Sequence, residues 1–238
     1  MNTHRFILSG LPVAGIRRQS GFTLIETMIG LALSVVVTAS MVTLMANSMG
    51  SATRIIQMSQ LTDELRNSMS MMSRDIRRAN FSANSIYCYA NSDCGTDGSA
   101  TQAADIFITG GNDCFIFGLD RDWDGDASND DAGAFRRATS GSIGVIEMWL
   151  GGSSPNCGAT SDDWVAITDP DFFDITAFTI DDTGSFEQSL ATEGGGTLTQ
   201  RSRQIQMQVA GRLVMDNKIN RSIEDTIKVR NDFFLFFL

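Results

Sequence analysis

Arg17-Arg18-Gln19-Ser20-Gly21-Phe22-Thr23-Leu24-Ile25-Glu26, with the apolar run that follows it to about Ala46, decides how the rest of the chain is read. A basic leader ends in a glycine. Residues 22–46 are rich in Leu, Ile, Val, Met and Ala, and Glu26 is their only charged residue. In a secretory signal peptide the apolar core precedes the cleavage site and is lost with it. Here the run lies after the candidate site at Gly21. Cleavage there removes leader 1–21 and leaves the apolar helix at a new N-terminus, Phe22. The 25 residues of the run give roughly 37 Å of helix at ~1.5 Å per residue, enough to span a bilayer core with some tilt. Ser34, Thr38, Ser40 and Thr43 are tolerable there because hydroxyls bond back to the helix or to neighbouring helices. Arg5, Arg17 and Arg18 should hold the leader on the cytoplasmic side, which places the C-terminal part across the membrane.

Glu26 needs a reason. A carboxylate costs on the order of 3 kcal/mol at the centre of a membrane helix, less near the interface, and such groups are usually paired. After cleavage Glu26 is the fifth residue, about one helical turn from the new amine of Phe22. The expected partner is an N-terminal amine, its own or a neighbouring subunit's.

Gly21-Phe22-Thr23-Leu24-Ile25-Glu26, with the basic leader and apolar run in register, resembles the class III signal of type IV pilins and type II secretion pseudopilins. The resemblance implies that a prepilin peptidase cuts after Gly21 and methylates Phe22. It also implies that Glu26 pairs with the first residue of an adjacent subunit in a filament. It covers about the first 50 residues.

From Ser51 to about Asn80 the helical pattern continues but turns amphipathic. Met58, Leu61, Leu65, Met69, Met72, Ile76 and Ala79 recur at steps of three and four, an apolar stripe expected to pack on a domain. The spacing predicts one long helix over 22–80, with Gly50 a soft point. Residues 81–238 lack long helical periodicity. Strands are expected at 105–108, 114–117, 145–150, 163–167, 175–180 and 205–209; the last alternates apolar and polar, as in a sheet with one covered face. A single long helix with a mainly antiparallel sheet is an α+β, pilin-like architecture. The strand-rich part resembles the large minor pilins of the PilW and PulJ type. The residues behind that resemblance are an Asp-rich turn after a Phe-rich strand, Trp164 to Phe178, and Ile227-Lys228-Val229-Arg230-Asn231. The apolar tail from Phe233 to Leu238 is too short to span a membrane, and burial as a terminal strand is expected.

Composition narrows the chemistry. The net charge is −10, and without the leader 15 basic and 28 acidic residues remain. A body near −13 has no general attraction to phosphate backbones, so no nucleic-acid partner is expected. The lone histidine is His4, in the leader, which leaves a mature chain without Ser-His-Asp or Cys-His catalysis. The four cysteines, Cys88, Cys94, Cys114 and Cys157, lie beyond the membrane run and read as two disulfides. Of three connectivities, Cys88–Cys94 with Cys114–Cys157 is preferred.

One loop has the look of a cation site. Set against a calcium-loop template from Asp120, it places oxygen ligands at positions 1, 3, 5, 9 and 12, with Gly125 at position 6 for the sharp turn. The candidate ligands for Ca2+ are Asp120, Asp122, Asp124, Asp126, Ser128 and Asp131. Asp131 is shorter than the usual glutamate and no flanking helices are evident, so this is not an EF-hand. The alternative is a solvated acidic loop. Glu147, Asp162, Asp163 and Glu187 are too scattered for the sequence to assemble a catalytic pair, and no enzyme activity is expected.

The expected protein is therefore a minor pilin that takes part in type IV pilus assembly or initiation. It is inserted in the inner membrane with residues 81–238 in the periplasm. Its partners are the prepilin peptidase and other minor and major pilins, met through the N-terminal helix. A type II secretion minor pseudopilin, or a binding module at a filament tip, is the alternative.

Overall fold

The computed structural model describes residues 21–84, 105–125, 131–151, 154–160, 163–191 and 195–237. The chain divides into two compact units, residues 1–52 and 53–238. The division falls two residues past Gly50, the expected soft point.

One helix, α1, runs Leu24–Arg78. It starts where the sequence offers a cap. Thr23 stands just before the first helical residue, and its Oγ1 accepts from the Glu26 amide at 3.3 Å, satisfying one of the helix's orphan donors. Thr23-Leu24-Ile25-Glu26 has the spacing of a capping box. In the first unit the apolar side chains from Phe22 to Met49 all face outward. Among the described residues, α1 holds the stretch long and apolar enough to cross a membrane, with a mean hydropathy of 2.1. The hydroxyls inside it bond back as expected. Ser34 donates to Leu31 O, Thr38 to Ser34 O, Ser40 to Val36 O and Thr43 to Ser40 O, all at 2.8–2.9 Å.

In the second unit the stripe is the core. Leu61, Leu65, Met69, Met72, Ile76 and Ala79 are buried, whereas Met58 is half-buried. The six buried residues pack with Phe115, Ile175, Phe178, Ile205, Met207, Val209, Ile227 and Val229 in one apolar cluster. Burying a large apolar side chain stabilises by ~1.5–3 kcal/mol, so this stripe fastens the helix to the strands.

The strands form three antiparallel sheets. β1 (Phe107–Ile108), β2 (Cys114–Gly118), β3 (Ala132–Ser140), β4 (Ile143–Trp149) and β5 (Trp164–Ala166) make a meander in chain order. β6 (Phe173–Asp181) and β10 (Asn220–Lys228) flank β9 (Gln204–Leu213). β7 (Phe186–Ala191) and β11 (Phe233–Phe237) flank β8 (Thr197–Ser202). β9 shows the predicted alternation: Ile205, Met207, Val209 and Leu213 are buried, and Gln204, Gln206 and Gln208 are exposed. All six expected strands are present. β3, β7, β8 and β10 were not expected, because their residues are mostly Ala, Ser, Thr, Gln, Arg and Glu. Ladder hydrogen bonds to a neighbour define such strands, not an apolar face.

Two glycines permit close approaches. A Cβ at Gly144 would lie 2.0 Å from Ile175 O, where the β3–β4 hairpin meets β6. Gly144 N donates to Asp174 Oδ1 at 2.9 Å and Arg137 Nε to Ile175 O at 2.7 Å, tying the meander to the second sheet. A Cβ at Gly211 would meet Leu65 Cδ2 at 3.3 Å, where α1 crosses β9. The apolar tail is a terminal strand, as expected, but Phe233, Phe234 and Leu235 are half-buried rather than fully covered.

Candidate functional site

At the N-terminal motif, Gly21 and Phe22 precede the first turn of α1 and are exposed. Phe22 is 81% exposed. Glu26 is the acidic residue of the first turn, where the helix dipole favours a negative charge. Among the described residues its carboxylate has no hydrogen-bond or ion-pair partner. Sequence reasoning singled out Glu26 and passed over Thr23, although the S/T-x-x-E spacing that marks a cap was there to be read.

The helix ends as deliberately as it starts. Asn80 takes a left-handed conformation, φ 62°, and its amide donates to Gly118 O at 2.9 Å. The last carbonyls are met from far along the chain. Arg230 N donates to Arg77 O at 3.2 Å, and Asn231 Nδ2 donates to Ala79 O at 3.0 Å and Arg78 O at 3.3 Å. The Arg230-Asn231 pair thus acts as a C-cap for a helix that ends about 150 residues earlier, a role that sequence distance conceals.

The Asp-rich loop curls. One carboxylate oxygen from each of Asp120, Asp122, Asp124 and Asp131 lies within 4.8 Å of the others. Oxygens bound to one Ca2+ at about 2.4 Å each can be no farther apart than roughly twice that distance, so the set fits a single hard cation. Asp120 and Asp131 are buried, and Asp122 and Asp124 are exposed. Hydrogen bonds hold the loop in this form. Asp120 Oδ2 accepts from Ala83 N at 2.8 Å and Oδ1 from Trp123 N at 2.7 Å; Asp131 Oδ1 accepts from Arg121 N at 2.9 Å. Asp126 and Ser128 lie outside the described residues.

The favoured long disulfide is present: Cys114 bonds Cys157 across a sequence separation of 43. Cys88 and Cys94 lie outside the described residues. Around the bridge, Trp149 packs edge-on to Trp164 at 5.3 Å, and Arg136 sits 4.1 Å over Trp164. Arg136 also donates to Glu147 Oε2 at 2.8 Å, Cys157 O at 2.8 Å and Ala159 O at 2.6 Å. It therefore clamps the disulfide loop onto the meander. Glu147 is thus taken by Arg136, while Glu187 pairs with Arg201. The structure places these two acids in separate ion pairs.

A second charge cluster was not foreseen. Asp105 accepts from Arg201 NH1 at 2.7 Å, Arg203 NH2 at 2.8 Å and Ile106 N at 2.8 Å. Asn80 Nδ2 reaches it at 3.4 Å. Burial alone would raise the Asp105 carboxyl, but the hydrogen bonds from Arg203 and Arg201 outweigh it and hold the group below its usual range. The cluster joins the end of α1, the start of β1 and the β8–β9 junction.

Comparison with known proteins agrees with both halves of the chain. Residues 16–42 match the prokaryotic N-terminal methylation motif. Residues 54–229 match the family described as prepilin peptidase-dependent protein B. No curated protein and no solved structure matches the chain. With the methylation motif in register at Gly21-Phe22, the exposed apolar helix behind it and a family match over most of the remaining chain, this is a pilin-type protein of the prepilin peptidase-dependent protein B family.

Proposed function

We propose that this chain is a minor pilin that takes part in type IV pilus assembly or initiation through its N-terminal helix. The observation that carries the reading is the Glu26 carboxylate, which sits unpartnered in the first turn of an exposed apolar helix, four residues from Phe22. Prepilin peptidase cuts after Gly21, and the new amine of Phe22 supplies the positive charge that the leader-bearing chain lacks at that place. In the bilayer the apolar side chains of residues 22–49 face lipid. In a filament they face the same surfaces of other pilins. The hydroxyls of Ser34, Thr38, Ser40 and Thr43 are satisfied within the helix, so that transfer exposes no unpaired donor. The carboxylate–amine pair between neighbours then sets register, and residues 53–238 are carried on the periplasmic side.

The test is Glu26→Ala in the cell. The variant should remain membrane-bound and be processed, with mass spectrometry finding methylated Phe22, while its incorporation into sheared filaments falls. Normal incorporation would overturn the assembly role. Membrane retention without cleavage at Gly21 would overturn the processing step. A type II secretion minor pseudopilin would use the same helix and the same contact.

The curled acidic loop supports a second, independent reading: a structural Ca2+ held by Asp120, Asp122, Asp124 and Asp131. Its role would be to fix the loop in the domain. Calcium titration followed by calorimetry tests it, and no heat and no change in melting temperature would remove the site.

A further inference from the structure

Six arginines of the second unit are spent inside the domain. Arg136, Arg201, Arg203 and Arg212 sit in ion pairs, and Arg137 and Arg121 donate to backbone carbonyls. Arg77, Arg78 and Arg230 differ. They are exposed, and among the described residues their side chains make no ion pair. All three line one cleft of about 210 Å³, together with Phe81, Trp123 and Asn231. Trp123 is 70% exposed and has φ 68°, a left-handed conformation that is rare for a bulky residue. It is held there by its backbone N–H, which donates to Asp120 Oδ1 at 2.7 Å, and by edge-on packing on Phe81 at 4.8 Å. Arg230 is fixed by its own amide on Arg77 O, and Asn231 by its cap on Ala79 O. The cleft is thus built by hydrogen bonds before any partner arrives, which lowers the entropy cost of binding.

Arg77 and Arg78 have one structural use, since cations in the last turn offset the helix dipole. That use accounts neither for Arg230 nor for an exposed tryptophan beside them. Tryptophan and arginine are the residues most enriched where binding energy concentrates.

We propose that this cleft docks an acidic segment of a partner protein, with carboxylates received by Arg77, Arg78 and Arg230 and an apolar side chain laid against Trp123 and Phe81. Charge complementarity selects an anionic partner, and guanidinium groups bind carboxylates in paired hydrogen bonds. The surroundings select a short acidic segment over a nucleic-acid strand. Asp122 and Asp124 are exposed on either side of Trp123, and Glu224 and Asp225 share the adjoining groove with Arg66 and Arg74. A continuous row of phosphates would have to pass these acids; a segment presenting one or two carboxylates would not.

The experiment uses the full chain in detergent micelles and acrylamide quenching of tryptophan fluorescence. Trp149 and Trp164 are buried, so Trp123 dominates the quenchable signal. The probes are a twelve-residue Glu/Asp-rich peptide with a central phenylalanine, the same peptide with Gln and Asn in place of the acids, and a 15-nucleotide oligothymidylate. The acidic peptide should protect Trp123, and the amide peptide should not. The Arg77→Gln/Arg78→Gln/Arg230→Gln variant, with unchanged melting temperature, should bind at least about tenfold more weakly. The reversal Arg77→Glu/Arg78→Glu should instead bind a Lys-rich counterpart, which guards against a merely unfolded variant. Equal protection by the amide peptide, unchanged affinity in the triple variant, or no protection by any probe overturns the proposal. Tighter binding of the oligonucleotide also overturns it and assigns the cleft to a nucleic acid.

Discussion

Replacing Asp105 with Asn tests whether the charge cluster fastens the domain. The carboxylate is largely buried, with 14% of its side-chain surface exposed, and it is shared by Arg201 and Arg203 at 2.7 and 2.8 Å. Removing one partner of a buried ion pair typically costs ~3–5 kcal/mol, because the other charge stays buried and unmatched. Here each arginine keeps a second acid, Glu187 for Arg201 and Asp182 for Arg203. Both acids are more exposed, at 50% and 41% of the side chain, and so better screened. The expected loss is therefore below that range, about 2–3 kcal/mol. For a domain of this size, a kilocalorie moves the melting temperature by ~2–4 °C, so a fall of roughly 4–12 °C at pH 7 is expected. The pH dependence follows from the same contacts. The folded carboxyl lies below its ordinary value of 3.8. Its stabilisation is complete above that value and is lost as pH falls through the folded pKa. The wild-type chain should thus lose its advantage over Asp105→Asn in acid. Thermal melts followed by far-UV circular dichroism between pH 7 and pH 2.5 measure both quantities. Equal melting at pH 7, or a gap that persists unchanged below pH 3, would refute the reasoning.

Other expectations concern separate parts of the fold. Glu64 is pushed upward by burial, with the Asp169 carboxylate adding to the rise against a backbone hydrogen bond that lowers it. The folded state therefore holds its proton more tightly, and stability falls as pH rises through its pKa. Glu64→Gln should raise the melting temperature at pH 7 and make no difference in acid; a melting temperature lower than wild type at pH 7 would count against this. Opening the Cys114–Cys157 bridge by a double serine substitution should cost about 4 kcal/mol for a loop of this length, read from denaturant midpoints. Gly144→Ala should destabilise the domain by at least ~2 kcal/mol, because its Cβ would meet the Ile175 carbonyl oxygen at 2.0 Å, and retained stability in chemical denaturation would show that the hairpin can shift. If calcium fills the acidic loop, Asp122→Asn/Asp124→Asn should abolish both the heat of titration and any calcium-dependent rise in melting temperature.

What the chain alone determined is what depends on near neighbours. Leu24 to Ala46 belongs to a helix long enough for a membrane, because backbone spacing sets its length. The stripe from Leu61 to Ala79 and the alternation of β9 are legible because one covered face imposes a period of 3.6 or 2 on the residues that make it. The cap at Thr23, three residues from the amide it accepts, was equally local. Only the tertiary structure decided the rest. β3, β8 and β10 carry little apolar signal, since their place comes from hydrogen bonds to strands elsewhere in the chain. Asp105 gains its role from arginines nearly a hundred residues away, and Asn231 caps a helix that ended about 150 residues before it. Only the folded chain brings carboxylate oxygens of Asp120 and Asp131 within 4.8 Å of each other and sets Arg77, Arg78, Arg230 and Trp123 around one cleft. Sequence patterns record which side of a helix or strand is covered. They do not record which distant polar group meets which, because one such contact imposes no period on its neighbours.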